Sequence, residues 1–273
     1  MPFVKNDGYE IFYDSFGDPA GSPFLFINGF TTQCVSWPPE LIDGLVTNGF
    51  YVIVFDNRDV GLTTKSAQGQ NYTLHDMASD AVAVLNTIGV TKAQVWGQSM
   101  GGMILQQMAI DFPERISAMC SVMSTTGAEG VGGATDAAIT MLLTPSPESR
   151  EANIEHNVIS GRLLAGPSVD DDFERWKHTQ QYDRCYWPQG SAHQFTAMRA
   201  SADRTPGLQK LRIPATVIHG RVDPLIQVSG GEATAAAIPG ARLVILEDMG
   251  HTLPSKYYTT YVDEMIALRA RIS

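Results

Sequence analysis

The sequence predicts an α/β protein with a mostly parallel β-sheet and helices on both faces of the sheet. Short, continuous apolar segments recur along the chain, and amphipathic helical patterns lie between them. Uninterrupted apolar strands are typical of parallel sheets that are covered on both sides. The chain has 273 residues, of which 44% are hydrophobic and 18% are charged. This composition is sufficient for one large domain with a buried core.

The strands are predicted in chain order from these apolar segments. The first sixteen residues predict a hairpin, because Val4 and the alternating segment 9–13 flank a turn at Asn6, Asp7 and Gly8. Later strands are predicted at 24–27, 50–55, 93–96, 116–123, 214–219 and 241–246. The third to fifth predicted strands are followed directly by Asn, Asp or Gly, which are typical of loops at a strand end.

Helical patterns first alternate with the strands and then replace them. Residues 76–88 and 100–112 have an apolar stripe and end before Gly89 and Pro113. Residues 126–205 contain no strand pattern, but show helical patterns at 137–143, 149–164, 171–181 and 191–201. We therefore expect a core domain formed by 1–125 and 206–273, a helical cap at 126–205, and a terminal helix over 255–270.

Charge and terminal composition exclude several function classes. The formal net charge is −10, from 29 acidic and 19 basic side chains, and the arginines are scattered. Nucleic-acid binding is therefore not expected, because it needs clustered positive charge. The N-terminus lacks a signal-peptide pattern, and no apolar stretch approaches the roughly 20 residues of a membrane span. We expect a cytoplasmic enzyme, either a monomer or a homodimer.

The cysteines predict neither a disulfide framework nor a metal site. Cys34, Cys120 and Cys185 are odd in number, widely separated and outside any Cys/His cluster with metal-ligand spacing. They are expected to be buried free thiols in a reducing compartment. We therefore expect no metal site.

A candidate nucleophile lies where an apolar strand gives way to a helix. Gly97-Gln98-Ser99-Met100-Gly101 matches the pattern G-x-S-x-G of a nucleophile elbow. A sharp turn there requires small neighbours, and it exposes the serine hydroxyl at the positive end of the following helix. An ordinary N-cap serine in a glycine-rich turn is the alternative interpretation.

A serine needs a base and an orienting acid, which follow it in chain order in enzymes with this elbow. Of the six histidines, His251 alone follows the last predicted strand. Asp223 follows the preceding strand directly, so it should reach the same edge of the sheet. Asp248 is only three residues before His251 and is a poorer clamp, and His219 is expected to be packed or hydrogen-bonded.

The remaining site residues are expected around Ser99. The backbone N–H groups of Phe30 and Met100 are the expected oxyanion hole, because they follow a strand end and the nucleophile. Gly29 allows close backbone approach there. Substrate contacts are expected from Phe30, Trp37, Gln98 and Met123, with core packing as the alternative for the apolar ones. Phe173, Trp176 and Tyr182 of the cap could add to the cavity wall.

These elements in this order resemble the α/β-hydrolase superfamily over essentially the whole chain. The chain is most similar to the bacterial esterase group related to aclacinomycin methylesterase. The likeness lies in the segments 37–38, 55–61, 97–102, 123–127 and 249–254. It implies an eight-stranded sheet, a helical lid, and cofactor-free ester hydrolysis by Ser99, Asp223 and His251 with the amides of Phe30 and Met100.

The chain also departs from the common pattern of the superfamily. Asn28-Gly29 stands where many members have His-Gly, and Asp59 stands where many have Gly, although the methylesterase-related group has Asp there. A backbone amide donates in the oxyanion hole, so the first change alters its support only. We interpret Asp56, Arg58 and Asp59 as residues that fix their loop.

The predicted activity is hydrolysis of small to medium apolar carboxylic esters through an acyl-enzyme. The same three side chains could instead serve a lactonase, a carbon–carbon bond hydrolase or a perhydrolase. A different class is a ligand-binding receptor on a hydrolase fold with an inactive triad. Fluorophosphonate labelling separates the receptor from the enzymes, and a substrate panel separates the enzymes from one another.

Overall fold

The computed structural model describes residues 2–272, so the outermost residues of the predicted core domain, 1 and 273, lie outside the described residues. The described chain forms one eight-stranded sheet in the order β1-β2-β4-β3-β5-β6-β7-β8. Its strands are β1 (Phe3–Asn6), β2 (Tyr9–Phe16), β3 (Ser22–Ile27), β4 (Phe50–Phe55), β5 (Ala93–Gln98), β6 (Ile116–Val122), β7 (Ala215–Gly220) and β8 (Arg242–Leu246).

Strand direction follows the sequence prediction. The hairpin of β1 and β2 is antiparallel, and β2 is also antiparallel to β4, whereas β3 to β8 pair in parallel. The hairpin turns at Asp7 and Gly8, whose positive φ angles of 47° and 81° are typical of a tight two-residue turn. A mostly parallel eight-stranded α/β sheet is confirmed.

Helices cover both faces of the sheet. They are α1 (Pro39–Thr47), α2 (Leu74–Thr87), α3 (Met100–Asp111), α4 (Asp136–Leu143), α5 (Arg150–Ala165), α6 (Asp171–Arg184), α7 (Gly190–Arg199), α8 (Thr205–Leu208), α9 (Ser229–Ala237) and α10 (Tyr258–Arg269). A 3-10 turn, Ser255–Tyr257, occupies the start of the predicted terminal helix. Helices α1, α8 and α9 were not predicted.

The alternation of side chains along the central strands divides the core into two layers. In β5, Val95 points into one layer with Met77 and Ile104 of α2 and α3. Its neighbour Trp96 points into the other layer, with Leu41 of α1 and residues of α10. Because all six residues of β4 are buried, both faces of the sheet centre are dry.

Helices α4 to α7 and the short α8 lie between β6 and β7, and we call α4 to α7 the β6–β7 helices. The helical patterns predicted there are confirmed, and no strand occurs between 126 and 205. Helices α5 and α6 pack closely at Gly161, where a Cβ would lie 2.6 Å from a carboxylate oxygen of Glu174. None of the helices between residues 2 and 272 has both the length and the apolarity needed to cross a membrane.

The loop after β4 is fixed by buried charges. Arg58 is 1% exposed and makes two hydrogen bonds to the carboxylate of Asp80, at 2.6 and 2.9 Å. Asp59 accepts from the backbone and hydroxyl of Ser66, and Asp56 pairs with Arg184 of α6 at 2.7 Å. These contacts agree with a structural role for the three residues.

Candidate active site

Ser99 lies in a sharp turn between β5 and α3. Its backbone has φ 54° and ψ −124°, a conformation that a residue with a side chain rarely adopts. A Cβ at Gly97 would overlap the carbonyl of Gly101, and one at Gly101 would overlap the carbonyl of Ile27. The two glycines are therefore required by sterics, as the elbow pattern predicts.

The Ser99 hydroxyl is within hydrogen-bond distance of an imidazole. Nε2 of His251 lies 2.9 Å from Oγ of Ser99. His251 follows β8 in a loop, while Ser99 follows β5, so the sheet brings together two residues that are 152 positions apart. With Nε2 unprotonated, the hydroxyl donates to it, which is the arrangement required of a general base.

Asp223 orients the imidazole. Its Oδ2 lies 2.7 Å from Nδ1 of His251, while Oδ1 accepts the backbone N–H groups of Leu225 and Ile226, both at 2.9 Å. Burial alone would raise the pKa of Asp223. The charge of His251 and the hydrogen bonds from His219 and His251 outweigh it and hold that pKa well below its usual range. Asp223 therefore stays ionised beside His251.

His219 and Asp248, the less favoured candidates for the base and the orienting acid, have other hydrogen-bond partners. His219 is fully buried and its Nε2 donates to the carbonyl of Ile226 at 2.7 Å. It also lies 3.5 Å from Asp223, so it supports the acid. The carboxylate of Asp248 is hydrogen-bonded to Lys256 and Tyr257. Within residues 2–272 it makes no side-chain hydrogen bond to His251.

Two backbone N–H groups are available near the nucleophile. Neither the N–H of Phe30 nor that of Met100 donates to a protein acceptor within residues 2–272. The loop after β3, which carries Phe30, lies close to the Ser99 turn. A Cβ at Gly29 in that loop would be only 3.2 Å from Cβ of Ser99. The following residue, Thr31, has a φ of 58° and donates its N–H to Oε1 of Gln194 at 2.8 Å. This arrangement suits an oxyanion hole.

A cavity of about 750 Å³ opens onto Ser99 and His251. Phe30, Gln98 and Met123 line it, as expected for substrate contacts. Trp37 does not belong to the lining. It is 2% exposed and stacks on Phe26 with ring centroids 4.0 Å apart, because its apolar ring fills the core beneath the site.

The β6–β7 helices contribute a large part of the cavity wall. Of the aromatic side chains expected there, Phe173 and Tyr182 line the cavity and Trp176 does not. The wall is also more polar than an apolar substrate requires, with the lining residues Asn153, Asn157, Glu174, Lys177, His178 and Gln181. Sequence reasoning missed this polar group, although four of its members lie on α6 at spacings that put them on one helix face.

Comparison with known proteins places the chain in a family. A model of the α/β hydrolase fold family matches residues 22–154. The chain is 30% identical to rhodomycin D methylesterase DnrP of Streptomyces peucetius, over 92% of each chain. It is 27% identical to 3-oxoadipate enol-lactonase 2 of Acinetobacter baylyi, over 86% of this chain and 84% of the relative.

A solved structure shows the same fold along the whole chain. The esterase RhEst1 from Rhodococcus sp. ECU1013 superposes with a TM-score of 0.83 at 22% identity, covering 99% of this chain and 98% of its own. The chain belongs to the α/β-hydrolase family, in its esterase group. The family resemblance read from the sequence motifs is confirmed.

Proposed function

We propose that the protein is a serine esterase in which Ser99 is the nucleophile, His251 the general base and Asp223 the orienting acid. The observation that carries this proposal is the unbroken chain of contacts from Ser99 Oγ to His251 Nε2, at 2.9 Å, and from His251 Nδ1 to Asp223, at 2.7 Å. Ser99 and His251 also line a cavity large enough for a small or medium substrate.

The reaction proceeds in two acyl transfers. As Oγ of Ser99 bonds to the ester carbonyl carbon, its proton passes to Nε2 of His251, and the imidazolium then protonates the leaving alcohol as its bond to carbon breaks. A water molecule next gives its proton to His251 and attacks the acyl carbon. The Ser99 oxygen leaves with that proton, which frees the carboxylic acid.

The oxyanion formed in both steps needs hydrogen-bond donors. The N–H groups of Phe30 and Met100 are assigned to it, and both are free of other protein acceptors within residues 2–272. Met100 is the first residue of α3, so the positive end of that helix also favours the developing charge.

The helical segment 126–205 acts in this proposal as a cap over the site. Its helices supply one wall of the cavity, and its Leu164 carbonyl accepts the backbone N–H of His251 at 2.7 Å. The cap excludes water from one side of the substrate, and it selects substrates by the shape and polarity of its wall.

The experiment is hydrolysis of 4-nitrophenyl butyrate together with labelling by a fluorophosphonate. Ser99→Ala is expected to lower turnover by about five to six orders of magnitude and to abolish labelling. Ser201→Ala, a partly exposed serine after α7, is the matched control and keeps both signals. Labelling that persists in Ser99→Ala, or wild-type protein that neither reacts nor is labelled, refutes the proposal.

Lactones are the second candidate substrate class. The enol-lactonase relative aligns over 86% of this chain, and opening a cyclic ester needs the same attack and the same oxyanion hole. Hydrolysis rates for an acyclic ester and a lactone of equal carbon number decide between the two classes. A lactone that is cleaved at least about tenfold faster would favour the lactonase.

A further inference from the structure

Three charged or titratable side chains stand on one face of α6 and line the cavity. Glu174, Lys177 and His178 are spaced i, i+3 and i+4, so they share a helix face. All three line the cavity that Ser99 and His251 also line. We call these residues the α6 charge cluster.

The carboxylate of the α6 charge cluster is held by its two neighbours. Its Oε2 accepts from Nζ of Lys177 at 2.6 Å and lies 3.3 Å from Nε2 of His178, with the Glu174 side chain 4% exposed. Burial alone would raise the pKa of Glu174. The charge of Lys177 and the hydrogen bonds from His178 and Lys177 outweigh it and lower that pKa to about 2.

The histidine of the cluster is already used in holding Glu174. Burial and the charge of Lys177 lower the pKa of His178, so the imidazole is neutral near pH 7. Its Nδ1 lies 3.5 Å from the side-chain amide nitrogen of Gln181. With Nδ1 as the acceptor, Nε2 carries the proton that it donates to Glu174.

Lys177 lines the cavity and retains hydrogen-bond donors. An ammonium group carries three N–H bonds, and within residues 2–272 Lys177 uses one of them, to Glu174. The Lys177 side chain is 19% exposed, and it lines the cavity that holds Ser99. Glu174 already balances the charge of Lys177, but the remaining confined N–H groups still favour an oxygen acceptor from the ligand, and a carboxylate oxygen accepts the stronger, charge-assisted bond.

We propose that Lys177 binds a second polar group of the substrate, an oxygen acceptor remote from the scissile ester, with a carboxylate as the preferred form. This inference rests on the proposed function, because it assigns the specificity of the same cavity. It replaces the expected small to medium apolar substrates with esters of dicarboxylic or oxo acids. Lys177 is a specificity residue here and takes no part in the acyl transfer.

The test compares esters that differ only at the remote end. The probes are the mono-4-nitrophenyl ester of adipic acid and 4-nitrophenyl hexanoate, in which a methyl group replaces the free carboxylate. A third probe, the 4-nitrophenyl ester of 5-oxohexanoic acid, carries a neutral carbonyl there. The quantity measured is the ratio of kcat/KM for each oxygenated ester to that for the hexanoate.

The wild-type ratio for the adipate ester is expected to fall by about tenfold to a hundredfold in Lys177→Met, because one charge-assisted hydrogen bond is lost. The ratio for the oxo ester falls less, and Lys177→Arg retains the preference. Arg175→Met is the matched control, because Arg175 pairs with Glu155 on the exposed side of the same helix. It leaves both ratios unchanged.

Lys177→Met also leaves the buried carboxylate of Glu174 without its cation, which could unfold the protein. A second variant therefore separates the loss of the substrate contact from a loss of folding. The double variant Glu174→Gln/Lys177→Met removes both charges together, and it should show the same loss of preference with a native circular dichroism spectrum. Equal ratios in wild type, Lys177→Met and the double variant overturn the inference. If all three probes are cleaved and Ser99 is labelled in that case, the esterase assignment survives.

Discussion

The backbone N–H of His251 donates a hydrogen bond of 2.7 Å to the carbonyl oxygen of Leu164. This bond joins the loop of the candidate base to the C-terminal turn of α5. Gly250 makes the approach possible, because a Cβ there would overlap the same carbonyl oxygen. The β6–β7 helices therefore help to fix the imidazole as well as enclosing the cavity.

Gly250→Ala is expected to lower kcat/KM by about a hundredfold. The added methyl group must push the loop away from α5, and a displacement near 1 Å at a reacting group has an effect of that order. Activity on 4-nitrophenyl butyrate and the thermal unfolding midpoint are measured together. Gly133→Ala is the control, since a Cβ there meets no atom within 4 Å. Full activity in Gly250→Ala would show that the loop position does not depend on α5.

The strands and the candidate triad could be predicted because their signals are local. The elbow pattern encodes a steric requirement at Gly97 and Gly101 that short-range sequence displays directly. Parallel strands bring their carboxyl ends to one edge, so the residues after β7 and β8 were expected to meet Ser99. The distances of Asp223 and His251 agree with that expectation.

What the sequence did not reveal depends on tertiary packing. Trp37 belongs to one of the sequence motifs shared with the esterase group, so it was expected at the site. Its ring instead packs against Phe26 in the core. The sequence pattern around a tryptophan does not distinguish core packing from cavity lining. Helix α9 was missed because Gly230 and Gly231 disfavour a helix locally. Packing requires them, since a Cβ at Gly231 would overlap the ring of His219.

Gln194 is expected to position the oxyanion loop. Its fully buried side chain accepts the N–H of Thr31 and donates to the carbonyl of Arg58, both at 2.8 Å. Gln194→Leu should lower kcat by about tenfold to a hundredfold, because the neighbouring Phe30 amide loses its support. The affinity for a boronic acid transition-state analogue should fall in parallel, while KM changes little.

The control for Gln194 is Gln189→Leu, an exposed residue at the start of the same helix. It should leave kcat and inhibitor affinity unchanged. A loss of stability in Gln194→Leu without a matching loss of inhibitor affinity would mean that this residue only packs the β6–β7 helices.

Asp223→Asn is expected to lower kcat by about four orders of magnitude. Oδ1 accepts two backbone N–H groups, so an asparagine must place its oxygen there and turn its NH2 toward His251. That NH2 would donate to Nδ1, which puts the imidazole proton on Nε2, where it can no longer accept from Ser99. Asp248→Asn is the control on the His251 loop and should keep activity. If Asp248→Asn is the more damaging change, the orienting acid has been misassigned.

The buried carboxylate of Glu174 predicts a pH dependence of stability. Its folded-state pKa of about 2 is below the ordinary value of 4.5, so the folded protein favours the ionised form. The stabilisation is therefore complete above about pH 4.5 and is lost as the pH falls toward 2. Its upper limit is about 3 kcal/mol, from the size of the pKa difference.

Urea unfolding of wild type and Glu174→Gln between pH 7 and pH 3 measures this term. The difference in free energy of unfolding should be constant at neutral pH and shrink below about pH 4.5, because protonated glutamate and glutamine then interact alike with Lys177. Glu155→Gln is the matched control, since its pair with Arg175 is half exposed and contributes under about 1 kcal/mol. If the difference in free energy of unfolding between wild type and Glu174→Gln does not depend on pH, ionisation of Glu174 does not stabilise the folded protein.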